Sequence, residues 1–182
     1  MLLFEKDSII VRELERSDDV LLAKWLSDPE ILEYYEGRDN AFDIYKVMKT
    51  FFNEEDINRS IIEFEGVAIG YIQFYLLDEK TMEVYDYPID EKVVIFGMDQ
   101  FIGEVNYWNR GIGQALIHSM VNYLIGQKQS IKIVMDPQTW NDRAIHCYEK
   151  CGFQKVKLLP KHELHEGEYR DCWLMEYTKN GV

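Results

Sequence analysis

The chain is 182 residues long, 47% hydrophobic and 14% aromatic, a size that suits one domain with a real core and a composition that excludes a disordered polymer. Thirty-three acidic against twenty basic residues leave a net charge of −13, which repels phosphate backbones and argues against nucleic-acid binding. No run approaches the ~20 apolar residues of a membrane span; the N-terminal stretch carries Glu5 and Asp7, unlike a signal peptide, so the expected location is the cytoplasm, away from any membrane.

No repeat or low-complexity linker interrupts the sequence, so a single domain over residues 1–182 is expected. Ser8 to Leu14 reads as an opening strand. Ser17 is placed to cap a helix whose apolar positions Leu21, Leu22, Trp25 and Leu26 run up to Asp28-Pro29. A second helix is expected over about Ala41 to Asn53. Arg59 to Phe64 and Val67 to Leu77 flank Glu65-Gly66, a two-residue hairpin turn. Asp78 to Glu91 is acidic and aromatic and reads as a loop, and Val93 to Ile102 as a long strand.

Gly111 to Gly126 carries Ile112, Ala115, Leu116, Met120, Tyr123 and Leu124 at helical spacing. A short buried strand, Ile131 to Met135, stops at Asp136-Pro137. Asn141 then caps a helix that ends at Gly152. Phe153 to Leu159 and Cys172 to Tyr177 close the chain as strands, giving a mixed α/β order. Cys147, Cys151 and Cys172 make no even disulfide set, so buried reduced thiols are expected.

Trp108-Asn109-Arg110-Gly111-Ile112-Gly113 follows a strand and opens a helix. Glycines there let backbone approach a ligand, and the free N–H groups of a helix start favour a phosphate. The turn is neither a P-loop nor a dinucleotide fingerprint. Further on comes Asn141-Asp-Arg-Ala144-Ile-His-Cys-Tyr148-Glu-Lys-Cys-Gly152-Phe153.

Together these two segments resemble the GCN5-related N-acetyltransferase (GNAT) superfamily, whose N-x-x-A-x-x-x-Y-x-x-x-G-F pattern is matched at Asn141, Ala144, Tyr148, Gly152 and Phe153. Gly97-Met-Asp99, Asn106-Tyr-Trp108, His162-Glu-Leu-His165, Asp171-Cys-Trp, Gly37-Arg38-Asp39 and Ile69-Gly70-Tyr71 are similar to the aminoglycoside 6′-N-acetyltransferases, the acetyltransferase half of the bifunctional aminoglycoside-modifying enzyme among them. One departure is Trp108, where the family often has Gln or Arg, so a side-chain contact to pyrophosphate is missing there.

The resemblance implies a single-domain GNAT fold with a mixed, mostly antiparallel sheet flanked by helices. It implies acetyl-CoA as donor and the 6′-amine of a cationic aminoglycoside as acceptor, with a homodimer left open. The donor would be held at Phe101, Ile102, Arg110, Gly111, Ile112, Gly113, Gln114, Asn141, Ala144 and Tyr148. Asp99 would be the catalytic carboxylate and would also hold the substrate amine. An alkylammonium of pKa about 10.4 loses its proton to an ordinary aspartate only at a cost of roughly 9 kcal/mol. Asp99 therefore either has a raised pKa or anchors the ammonium and passes the proton through water. Tyr148 is the candidate acid for the departing thiolate, since phenol and thiol pKa values lie within about 2 units. Backbone N–H groups at Phe101 and Ile102, where a bulge is expected, would polarise the thioester carbonyl.

The amine site is expected in two acidic, aromatic stretches, Tyr34, Tyr35, Glu36 and Asp39 in one, Tyr85, Asp86 and Tyr87 in the other. His162 and His165 stand at i and i+3, not the HExxH spacing, so no metal is expected. The rival readings are acetylation of a polyamine, a siderophore precursor or a protein N-terminus, and a non-catalytic acetyl-CoA-binding module.

Overall fold

The computed structural model describes residues 1–53, 56–90 and 92–179. Eight strands form one sheet: β1 (Leu2–Lys6), β2 (Ile9–Glu13), β3 (Ile57–Phe64), β4 (Val67–Leu76), β5 (Ile95–Ile102), β6 (Lys132–Met135), β7 (Gln154–His165) and β8 (Glu168–Thr178). Their order is β1-β2-β3-β4-β5-β6-β8-β7. β1 with β2, β2 with β3 and β6 with β8 run antiparallel, while β5 and β6 are parallel. The helices are α1 (Asp19–Trp25), α2 (Pro29–Leu32), α3 (Ile44–Phe51), α4 (Glu79–Tyr85), α5 (Ile112–Gln127) and α6 (Asp142–Lys150). The fold is therefore the expected α/β arrangement with a mixed sheet.

Contacts divide the chain into two compact units, the first made of Met1–Gln73, Asp99–Ile112 and His165–Glu168, the second of Phe74–Met98, Gly113–Leu164 and Tyr169–Val182. In the first, Leu22, Trp25, Leu26, Phe42, Phe51, Tyr71 and Phe101 form a largely aromatic core. In the second, Met82, Tyr85, Ile95, Val134, Leu159 and Leu174 pack together.

Several elements differ from the sequence expectations. β1 precedes the expected first strand and pairs with it through the Asp7 turn, Lys6 opposite Ile9. Ser17 is not the cap: it lies inside a single 3-10 turn, Arg16–Asp18, where Asp18 accepts the Glu15 N–H at 2.8 Å and two Arg12 N–H bonds. The expected helix over 41–53 is shortened to α3, because Asp43 takes the cap position and accepts the Lys46 N–H at 2.7 Å. The stretch 78–91, read as a loop, holds α4, capped by Asp78 on the Thr81 N–H at 2.8 Å. β7 continues through Pro160, beyond the expected end at Leu159, to His165, and so carries both His162 and His165. Cys172 is fully buried and Cys151 is 2% exposed, whereas Cys147 is only partly buried, against the expectation of three buried thiols. Among the described residues no helix is long and apolar enough to cross a membrane.

Candidate functional site

The first unit assembles a carboxylate beside aromatic rings. Asp99 and Phe101 share one face of β5 by strand alternation, and Tyr71 and Gln73 share one face of β4. The Tyr71 hydroxyl donates to Gln73 Oε1 at 2.8 Å, and Gln73 Nε2 donates to Asp99 Oδ2 at 2.9 Å. Burial pushes the Tyr71 phenol well above its ordinary value, with Asp99 and Glu36 adding to the rise and Arg59 opposing it. Tyr71 thus stays protonated, fixes which end of the Gln73 amide it meets, and leaves the amide N–H to orient the Asp99 carboxylate. Phe101 packs against Tyr71, with ring centroids 5.7 Å apart, and against Tyr35 at 4.8 Å.

The irregularity lies just past the end of β5, two residues beyond the expected Phe101–Ile102. Gly103 and Glu104 N–H both donate to the Ile69 carbonyl, at 2.7 and 3.1 Å, so two residues oppose one, as in a bulge. Gly70 is required for this approach, since a Cβ there would sit 2.4 Å from the Phe101 carbonyl oxygen. Trp108, the departure from the family pattern, donates its indole N–H to the Ile102 carbonyl at 2.7 Å, and Tyr34 meets it edge to face. Its place is explained by bracing the end of β5.

Arg110 lies over the Tyr107 ring at 5.1 Å and within 6.0 Å of Phe64. Gly111 has φ +77, and a Cβ there would meet nothing within 4 Å, so the turn faces open space. Gly113, in the first turn of the 16-residue α5, would place a Cβ 3.8 Å from Cys147 Sγ, an ordinary contact.

In the second unit, Asn141 caps α6 by accepting the Ala144 N–H at 3.2 Å. This gives the Asn and Ala of the matched pattern a local structural role. Tyr148 follows one turn on and packs its ring against Phe153. The 85–87 stretch belongs to this unit too, and its groups meet charged partners. Tyr85 donates to Asp136 Oδ2 at 2.9 Å, and His162 Nε2 meets the same oxygen at 2.8 Å. Asp86 pairs with Lys157. Tyr87 donates to Glu176, which also pairs with Lys132 at 2.8 Å. Burial works to raise the Asp136 pKa, but its His162 and Tyr85 hydrogen bonds prevail and leave it lowered. The Asp136 hydrogen bond raises that of His162 against its own burial.

The other stretch, 34–39, lies in the first unit. There Asn40 Nδ2 donates to Glu36 at 2.8 Å, and Arg38 makes a two-pronged pair with Glu166. Sequence reasoning missed Gln73, and it named Tyr71 only as part of the family resemblance, with no role. The signal was a lone amide inside the apolar run Tyr71-Ile-Gln-Phe-Tyr-Leu76, since a polar group in such a strand needs a partner. Among the described residues no three His, Cys, Asp or Glu side chains gather as a metal site.

The description "Acetyltransferase (GNAT) domain" matches residues 15–160. Over 153 residues the chain is 28% identical to an aminoglycoside N(6')-acetyltransferase type 1 of Klebsiella pneumoniae, spanning 82% of this chain and 75% of that protein. The fold is similar to that of AAC(6')-Ib in complex with ribostamycin and coenzyme A, with a TM-score of 0.76 at 24% identity over 95% of this chain and 94% of the other. It is also similar to spermidine N-acetyltransferase from Vibrio cholerae in complex with CoA and spermine, with a TM-score of 0.75 at 19% identity over 95% and 96%. The chain belongs to the GNAT acetyltransferase family.

Proposed function

We propose that this protein transfers the acetyl group of acetyl-CoA to the 6′-amine of an aminoglycoside. The reading is carried by the Tyr71–Gln73–Asp99 row beside the Tyr35 and Phe101 rings. An oriented carboxylate with an aromatic flank suits an ammonium borne on a sugar ring, because the ring faces attract the cation and cover the apolar side of the sugar. The relationship to the Klebsiella pneumoniae enzyme supports the same substrate class.

On this reading Asp99 anchors the 6′-ammonium and hands its proton to water as the amine attacks. Gln73 and Tyr71 hold Asp99 in place. Tyr35, Glu36 and Asp39 receive the remaining sugar faces and ammonium groups. The open Gly111 turn and the first N–H groups of α5, with Arg110, Ile112, Gly113 and Gln114, take the donor's pyrophosphate. Backbone N–H groups at Phe101 and Ile102 polarise the thioester carbonyl. Tyr148 supplies a proton to the departing thiolate.

The test is acetyl-CoA-dependent turnover on kanamycin, ribostamycin and spermidine, with the acetylated nitrogen located by NMR. Acetylation at the 6′ position is expected. A second reading, polyamine acetylation, draws on the fold neighbour solved with spermine; turnover on spermidine and none on the aminosugars would move the assignment there. Binding of acetyl-CoA with no turnover on any amine makes the chain a binding module.

A further inference from the structure

Arg110 is held by aromatic rings, not by a carboxylate. Its guanidinium lies 5.1 Å from the Tyr107 ring centroid and 6.0 Å from that of Phe64, and the two rings meet edge to face with centroids 6.0 Å apart. The three residues come from separate pieces of the first unit: Phe64 ends β3, Tyr107 closes the single 3-10 turn Val105–Tyr107, and Arg110 sits in the turn that follows. On either side of Arg110, Asn109 and Gly111 have φ +58 and +77, a left-handed backbone that Asn and Gly adopt at little cost. Both rings are partly buried, while Arg110 is exposed. Among the described residues no carboxylate pairs with Arg110: Glu63 is taken by Arg12 at 2.7 Å, and Glu104 by Lys24 and Trp25. In a chain of net charge −13, this leaves a cation without a counter-charge beside the open Gly111 turn.

We propose that Tyr107 and Phe64 are positioning residues that stack Arg110 in the orientation in which it contacts a phosphate of the donor, and so set a preference for a phosphorylated thioester. This rests on the acetyl-CoA reading above. An exposed arginine samples many rotamers, and freezing it on binding offsets part of what its contact contributes. Stacking removes those rotamers before the ligand arrives. It occupies only the face of the planar guanidinium and leaves the N–H edge to donate to phosphate oxygens. The rings attract the cation without neutralising it, whereas a carboxylate partner would have to be displaced by the arriving anion. The Tyr107 hydroxyl takes no part.

The experiment compares acetyl-CoA, acetyl-dephospho-CoA and S-acetylpantetheine as donors to whichever of kanamycin and spermidine the parent acetylates. Coenzyme A affinity, read by calorimetry, should move with the acetyl-CoA KM. Tyr107→Leu is expected to raise that KM about fivefold with kcat little changed, and Tyr107→Phe, which keeps the ring, to restore the parent value. Phe64→Leu should act in the same direction and more weakly, its ring being farther from the guanidinium. Arg110→Gln should raise the KM at least about tenfold. Adding Tyr107→Leu to it should change nothing further, since the ring acts through the cation. None of these variants should alter the KM for S-acetylpantetheine, which carries no phosphate. An effect that persists with acetyl-dephospho-CoA assigns the contact to the pyrophosphate, and one that vanishes there assigns it to the 3′-phosphate; either upholds the proposal. A folded Tyr107→Leu protein with the parent KM overturns it, as do equal losses with all three donors or additive losses in the double variant. Parent protein that binds no coenzyme A overturns the acetyl-CoA reading itself, and this inference with it.

Discussion

Residues 34–39 and residues 85–87 look alike in sequence, each a short run of tyrosines and carboxylates in a strongly acidic chain. Their surroundings differ. Around 85–87 each carboxylate meets a basic side chain: Lys157 at Asp86, His162 at Asp136 and Lys132 at Glu176. Around 34–39 the basic side chain, Arg38, turns to Glu166, and Glu36 meets the amide of Asn40. A cationic ligand arriving at the second stretch has to displace an internal cation first. At the first, the cation Arg38 is engaged by Glu166, and Glu36 accepts a hydrogen bond from the Asn40 amide. Composition alone does not separate these cases, because charge neutralisation comes from residues as distant in sequence as Lys157 and His162.

The sharpest way to test the comparison is at its catalytic end. Asp99→Asn keeps size but removes the charge that anchors the amine, and should reduce turnover by roughly 10²-fold or more at pH 7. Acetyl-CoA affinity should change little. Raising the pH should restore part of the rate, because more amine is then neutral without help. Parent-level turnover in the folded mutant would make the carboxylate structural.

A smaller effect separates the two stretches directly. Glu36→Gln should raise the aminoglycoside KM by about tenfold, the loss of one hydrogen bond to a charged group. Asp86→Asn should leave that KM within about twofold, since its present partner is Lys157 at an exposed pair worth little. Steady-state kinetics on both variants decide it. The reverse pattern would transfer the amine site to the second stretch.

The smallest effect concerns stability. His162 has a raised pKa in the fold, so its contribution is fully present below about 6.5 and fades as pH rises through the raised value. Asp136 has a lowered pKa, so its contribution is present above about 4 and fades as pH falls through the lowered value. The pair therefore stabilises most between about pH 4 and 6.5. His162→Gln should lower Tm by about 2–4 °C in that window and by less at pH 9. Equal losses at both pH values in calorimetry would remove the charge from the explanation.

What was legible in the sequence follows a physical pattern. The α6 cap at Asn141, the glycine turn before α5 and the Glu65-Gly66 hairpin are local events, each set by residues a few positions apart. Local chemistry is visible in a string of letters. β1 was missed because only Met1, Leu2, Leu3 and Phe4 are apolar before the charges begin, and its pairing with β2 is what makes it a strand. α4 was missed because seven residues give just two buried positions, Met82 and Tyr85, too few to show a period. β7 was cut short at Leu159 because Pro160 reads as a stop; the strand lies last in the sheet order, where a missing N–H is tolerated. At the proposed site, Asp99 is named by the family resemblance. Gln73 and Tyr71 needed the register of β4 and β5, which no single segment contains.

The pair between Arg38 and Glu166 has a consequence for how the molecule is made. Glu166 carries its charge even in acid, because the Arg38 hydrogen bonds hold its carboxyl down at about 2. Its larger meaning is temporal. Residues 165–168 belong to the first unit, yet 128 positions of chain separate Glu166 from Arg38. A ribosome adding about 5–20 residues per second needs roughly 6–25 s to bridge that interval. The segment bearing Tyr35, Glu36 and Arg38 emerges early and waits, while everything between is synthesised, for the hairpin tip that completes it.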